Sequence, residues 1–223
     1  MKLREFVVAF YRAFISPVKA KVSYSQCGED MVLNYLLLDK KQSGFYVDIG
    51  CHNPRRGSNT YHFYKKGWSG VLVDLDPEKI YACRMIRWRD KSVLAAVSDK
   101  NEEVTVYAPD HFSVLATIAP TSKQENFKAL RTVTSRTLTQ ILDETQAPKR
   151  FELLSIDAEG VDFAVLKGLD FEKYLPEFIC IEIWGSSEGL SGLFGSDIHR
   201  FLETKNYNLI SWAGMSAIYK WMP

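Results

Sequence analysis

Carboxylates placed where apolar runs end define the chemistry open to this chain. Val47-Asp48-Ile49-Gly50-Cys51-His52-Asn53-Pro54 reads as a strand entering a turn at a glycine. Asp74 follows Gly50 by 24 residues and ends a second apolar run, Gly70-Val71-Leu72-Val73-Asp74. In an α/β protein such a pair holds a nucleoside: backbone approaches the ligand at the glycine, and the carboxylate accepts from ribose hydroxyls. The three glycines of the dinucleotide fingerprint are missing, so no backbone nest for a pyrophosphate is evident. A nucleoside without phosphates fits better than a dinucleotide.

A second acidic group follows. Asp157 and Glu159 come after the apolar run Phe151–Ile156, and Glu182 lies near the end of Phe178–Ile183. Strand ends of α/β sheets open into the ligand crevice, so these carboxylates are expected to converge. Convergence is costly unless a cation or a shared proton offsets the repulsion. They are candidates for a general base, with Asp157 and Glu182 as candidate oxygen ligands for a Mg²⁺-like ion. His52, directly after the glycine turn, is another candidate base. Ordinary roles compete. Asp48 could cap its turn, Asp76 the helix begun by Pro77, and Glu159 the helix after it, while Glu182 could pair with a lysine. Asn59 and Thr60 either cap a helix or reach a ligand carboxylate from its start.

The elements that must position these groups alternate. Helices are expected from Met31 to Leu38, up to Lys66 with Gly67 closing, from Pro77 to about Trp88, from Leu138, over Val161–Lys167 and over Ile198–Lys205. Strands are expected over Gly44–Ile49, Val71–Val73, Val93–Val97 and Glu103–Tyr107, then Phe151–Ile156 and Phe178–Ile183. Leu209–Trp212 and Ala217–Trp221 read as a closing hairpin. Residues 108–135 and 185–196 read as long mobile loops. The alternation implies a parallel sheet covered on both faces. One domain over residues 23–223, preceded by a helical extension over 1–22, accounts for the length.

Composition narrows the partners. Lys and Arg number 28 against 27 Asp and Glu, so nothing draws the whole chain toward nucleic acid. The four scattered cysteines suit a reducing compartment, and a cytoplasmic location is expected. No apolar run reaches the roughly 18 residues of a membrane span. Within Met1–Lys21, Phe6, Val7, Phe10, Phe14 and Ile15 recur near helical spacing among Lys2, Arg4, Arg12, Lys19 and Lys21. The segment lacks the long apolar run and cleavage site of a secretory signal. Such a helix packs on the domain or at a dimer contact, or lies on a membrane surface.

Five segments, in order and spacing, resemble the FkbM family of S-adenosylmethionine-dependent methyltransferases. They are Ser25-Gln26-Cys27-Gly28-Glu29-Asp30, Val47 to Pro54, Ser58-Asn59-Thr60, Gly67-Trp68-Ser69-Gly70, and Leu154-Ser155-Ile156-Asp157-Ala158-Glu159-Gly160. The resemblance implies the class I methyltransferase fold: a doubly wound, mostly parallel sheet with a C-terminal antiparallel hairpin. It also implies S-adenosylmethionine as cofactor and methyl transfer to a hydroxyl of a sugar or glycosylated product. Asp48 and Gly50 would then lie at the methionine part of the cofactor, with Asn59, Thr60 and Asp157 nearby. Asp74 would meet the ribose and Ser98 the adenine. Gln26 and Glu29 would line the crevice. A nitrogen or carboxylate acceptor on the same fold, or a non-catalytic cofactor-binding subunit, are the alternatives.

Overall fold

Apolar runs bracketed by glycine and aspartate become the central strands. The computed structural model describes residues 3–16, 21–37, 43–109, 116–119, 126–183 and 189–223. In chain order the elements begin with α1 (Leu3–Phe10, continued by a π-helical Tyr11–Ile15), α2 (Glu29–Leu36), β1 (Phe45–Ile49), α3 (Tyr61–Lys65), β2 (Ser69–Asp74) and α4 (Pro77–Ile86). The middle holds β3 (Lys91–Leu94), β4 (Val97–Ser98), β5 (Glu103–Ala108), β6 (Lys128–Thr134), β7 (Arg136–Thr137) and α5 (Leu138–Glu144). The remainder is β8 (Arg150–Ile156), α6 (Asp162–Lys167), β9 (Leu175–Glu182), α7 (Leu190–Gly195), α8 (Asp197–Thr204), β10 (Tyr207–Ala213) and β11 (Ser216–Trp221).

Seven strands form the central sheet in the order β10-β11-β9-β8-β1-β2-β3. From β3 to β9 all pairings are parallel, and β11 pairs antiparallel with both β9 and β10. This is the class I methyltransferase fold, with its terminal hairpin where the sequence suggested. Period-two alternation divides the core between the faces. Val47, Ile49, Leu154, Ile156, Ile179 and Ile181 join the apolar layer beneath α5, α6 and α8. Tyr46, Leu72, Leu153, Phe178 and Cys180 join the layer that holds Leu33 of α2, Phe63 of α3 and Ile80 of α4. Cys51 and Cys180 are buried thiols.

Three expectations need correction. The third strand is not continuous over Val93–Val97. After Leu94 pairs with Asp74, Ala95 donates to the Asp74 carbonyl, and Val97–Ser98 then leaves the sheet to pair with Arg136–Thr137. The span 108–135 is not one loop: Lys128–Thr134 forms an antiparallel ribbon with Glu103–Ala108, and Thr117 bridges Tyr107. β6 exposes most of its residues, so it lacks the apolar alternation that marks a half-buried strand. Within 185–196, Leu190–Gly195 is helical, anchored by fully buried Leu193 beneath a glycine-rich sequence. Leu38, His111 and residues 184–188 lie outside the described residues.

Among the described residues no helix is long and apolar enough to cross a membrane. No residue of 3–16 is buried, so α1 does not pack on the domain.

Candidate active site

The carboxyl ends of β1, β2 and β8 meet where the chain, having run outward through β3, returns to the other side of β1. Such a switch point leaves a crevice. A cleft of about 880 Å³, its open mouth included, occupies it. Ile49, Gly50 and His52 line it from the β1 turn, Val73, Asp74 and Leu75 from β2, and Lys79 from α4. Asp157, Ala158, Glu159 and Val161 enter after β8. Ala95, Val97, Ala116 and Ile118 supply an apolar wall, and Gln26 and Gly57 complete the lining.

The β1 turn is clamped between its neighbours. Gly50 and Cys51 donate to the Val73 carbonyl at 2.8 and 3.1 Å, and Asp157 donates to the Ile49 carbonyl at 2.9 Å. Gly50 has φ +77°, and a Cβ there would sit 1.8 Å from the Asp157 carbonyl oxygen. The approaching β8 backbone thus demands the glycine before any ligand does. Overpacking costs about 1–3 kcal/mol and a left-handed φ about 1–2 kcal/mol more. Gly50→Ala should therefore lower the thermal midpoint by roughly 5–15 °C in a calorimetric scan. His52 (φ +43°) and Glu159 (φ +51°) are non-glycine residues in the left-handed region, and both face the cleft. Strained backbone of this kind clusters at binding sites.

Asp74 is buried at the end of β2. One oxygen accepts from the His52 amide at 3.0 Å, the other from the Asp76 amide at 2.9 Å, and Lys79 Nζ stands 3.9 Å away. A carboxylate has about four lone-pair sites, so capacity remains for two hydroxyls. Burial pushes its pKa up, and Lys79 opposes that. Asp76 takes the other role considered for it: its side chain accepts from the Glu78 amide at 2.8 Å and caps α4.

Asp157 and Glu182 follow the paired Ile156 and Ile181 at neighbouring strand ends, and Asp157 and Glu159 line the cleft together, but Glu182 does not line it. Burial, then repulsion from Glu182 and Asp162, pushes Asp157 up to about 8. Burial, then Asp157 and Asp162, pushes Glu159 up to about 7. Two carboxyls side by side raise the proton affinity of one of them. Glu159 does not cap the following helix. Asp162 holds that turn, accepting from the Ala158 and Gly160 amides at 2.7 and 3.1 Å. Among the described residues no three His, Cys, Asp or Glu side chains are grouped to hold a metal ion.

Asp48 lies on the other face of β1, with Tyr46, and does not line the cleft. Its carboxylate accepts from Thr60 Oγ1 at 2.5 Å. Fully buried Arg87 donates to Thr60 Oγ1 at 2.9 Å, to Ser58 Oγ at 3.3 Å and to Asp90 at 2.8 Å. Its guanidinium also stacks over Tyr46 and Tyr64. Tyr46 and the Gly70 amide donate to Asp90 in turn. Thr60 is the residue before α3, yet its hydroxyl serves the buried charge, a stronger acceptor than a cap requires. Asn59 donates to Ser155 at 3.1 Å, tying the start of α3 to β8. Ser98 is buried and donates to Asp99 at 3.3 Å; its neighbour Val97 lines the cleft instead. Gln26 reaches the cleft, whereas Glu29 accepts from the Cys27 amide at 2.8 Å at the start of α2.

A sequence profile of the methyltransferase FkbM domain matches residues 48–209. The chain belongs to the FkbM methyltransferase family. This FkbM domain is also similar to a TehB-like SAM-dependent methyltransferase from Corynebacterium glutamicum ATCC 13032 Kitasato, at 12% identity over 98% of this chain and 97% of that one, with TM-score 0.45. It is similar to the O-methyltransferase from Bacillus cereus solved in complex with SAH, at 12% identity over 97% and 89%, with TM-score 0.46. A third likeness is to a precorrin-6y C5,15-methyltransferase from Geobacter metallireducens GS-15, at 12% identity over 87% of each chain, with TM-score 0.44. Among curated proteins none matches.

The cleft of the FkbM domain suits the family's methyl donor, S-adenosylmethionine. Asp74 has acceptor capacity left, the apolar wall can cover an aromatic base, and His52 Nδ1 is buried without a hydrogen-bond partner among the described residues. Four features of the domain escape sequence reasoning: the Arg87 hub, the Asp162 turn, Lys79 beside Asp74, and the wall at 116–118. Only Asp162 left a local signal, an acid at the start of an expected helix.

Proposed function

We propose that this FkbM domain is an O-methyltransferase whose acceptor is a hydroxyl of a sugar or glycosylated small molecule. The observation that carries the reading is that the Asp157 and Glu159 carboxyls enter the same cleft as Asp74. S-adenosylmethionine, when bound, supplies a transferable methyl group on a positively charged sulfur. Asp74, the Gly50–His52 turn and the apolar wall of Ala95, Val97 and Ile118 are the residues that would hold it. Asp48, Asn59 and Thr60 act at one remove, by fixing the turn and the start of α3.

An alcohol ionises far above neutral pH, so its proton must be taken as it reacts. Glu159, at about 7, and Asp157, at about 8, have proton affinities suited to that task. Asp157 and Glu159 both line the cleft, where an ionised carboxylate oxygen can accept from the acceptor hydroxyl. A carboxylate acceptor is disfavoured, because it would enter a cleft already crowded with acids. His52 is a weaker base, since burial and then Lys79 lower its pKa.

The base must be ionised to work, and both carboxyls are raised. Activity should therefore be low near pH 6 and rise through about 7 to 8 in kcat/KM. Methyl-labelled cofactor with candidate glycans, assayed across that range, tests the reading. A pH-independent profile on a hydroxyl acceptor would remove the carboxylates from the base role. Labelling of amines alone would replace the acceptor class.

A further inference from the structure

We propose that α1 and its π-helical continuation form a docking face for an anionic phospholipid bilayer. The inference stands apart from the choice of methyl acceptor. Phe6, Phe10 and Phe14 follow one another at four-residue spacing. Their rings lie 6.3 and 5.0 Å apart, as one aromatic ridge. Leu3 (80% exposed) and Val7 extend the ridge, and Phe14 is 77% exposed. No residue of the helix is buried by the domain. A helix that exposes an aromatic ridge of this kind buries it elsewhere.

Charge decides between the occupants. Residues 1–21 carry Lys2, Arg4, Arg12, Lys19 and Lys21 against Glu5 alone. A second copy would have to offer an apolar surface. One exposed stripe of the domain, Tyr81 and Met85 of α4 with Trp88 just beyond it, is flanked by Arg84 and Arg89, with Glu78 one turn before Tyr81. Docking the basic helix on that stripe of a second copy would set Arg4 and Arg12 against Arg84 and Arg89. An anionic bilayer offers acyl chains to the ridge and negative headgroups to the basic flank, which is how interfacial amphipathic helices bind.

Flotation of the full chain with vesicles tests this, comparing phosphatidylcholine alone with phosphatidylcholine containing about one-third phosphatidylglycerol. The bound fraction should be roughly tenfold higher on the anionic vesicles and fall as salt is raised. Phe10→Asp with Phe14→Asp should abolish it, and Arg4→Glu with Arg12→Glu should remove the preference for anionic lipid. Both pairs are exposed, so their thermal midpoints should match the parent and show that the fold is intact. Equal retention on both vesicle types would overturn the proposal. So would retention unaffected by the phenylalanine changes, or a dimer that dissociates in Phe10→Asp/Phe14→Asp with no vesicle binding by the parent.

Discussion

Asp157→Asn should slow methyl transfer by about 10²–10⁴-fold, the usual range for losing a positioned acid–base group. The fold should meanwhile become no less stable. Both halves follow from the same surroundings. Asp157 is pushed up to about 8 by burial and by its neighbours Glu182 and Asp162. Its folded pKa therefore lies above its unfolded value of 3.8, and the native state binds the extra proton between those values. Stability is highest where that proton is held, and it declines as pH rises from about 4 to 8. An asparagine keeps the shape and carries no charge, so the variant should lose less stability over that range. Urea melts at both ends of the window, with turnover of labelled methyl groups, separate the two effects. A variant that melts far earlier would mark Asp157 as a structural group. One that turns over normally would move the base to Glu159.

Arg87→Met should destabilise the domain by about 3–5 kcal/mol, the cost of leaving buried charges without their partner. The guanidinium is the sole cation in hydrogen-bonded contact with the buried group around Asp48 and Asp90 among the described residues. Burial already pushes both carboxyls up, and Arg87 opposes the shift. Without it their folded values rise further above the unfolded ones, and each takes up a proton on folding over a wider range. The variant should thus be closest to the parent near pH 5 and furthest from it near pH 8. Denaturant titrations at both pH values measure the gap. A loss below about 1 kcal/mol, equal at both, would mean that the network is already neutral. Because Thr60 and Asp48 belong to this network, the β1 turn that lines the cleft depends on it too.

How much of this was legible in the sequence follows from the range of the forces involved. β1, β2, β8 and the final hairpin were readable because their apolar runs end on local punctuation: Gly50, Asp74, Asp157, and the turn between Ala213 and Ser216. Asp74 was readable as a cleft residue because a carboxylate closing an apolar strand has few structural uses. The convergence of Asp157 and Glu182 was readable from the parallel topology, which puts neighbouring strand ends side by side. Arg87 was not readable: in Arg87-Trp88-Arg89-Asp90 it looks like one more solvated cation, and its partners Thr60 and Ser58 lie 27 and 29 residues away. The exposed β5–β6 ribbon carries no burial pattern to read. Gly50 was read as the point where backbone approaches a ligand, whereas the group that crowds it in the fold is the Asp157 backbone after β8.

Calorimetric titration of the purified chain with S-adenosylmethionine, wild type beside Asp74→Ala, tests most directly whether the cleft at β1, β2 and β8 is the methyl-donor site. The wild type should bind below about 1 mM. Asp74→Ala should bind about 10–100-fold more weakly through the loss of its charge-assisted hydrogen bonds. A wild type that does not bind at that concentration, or an Asp74→Ala variant that binds as tightly as the parent, would contradict the assignment.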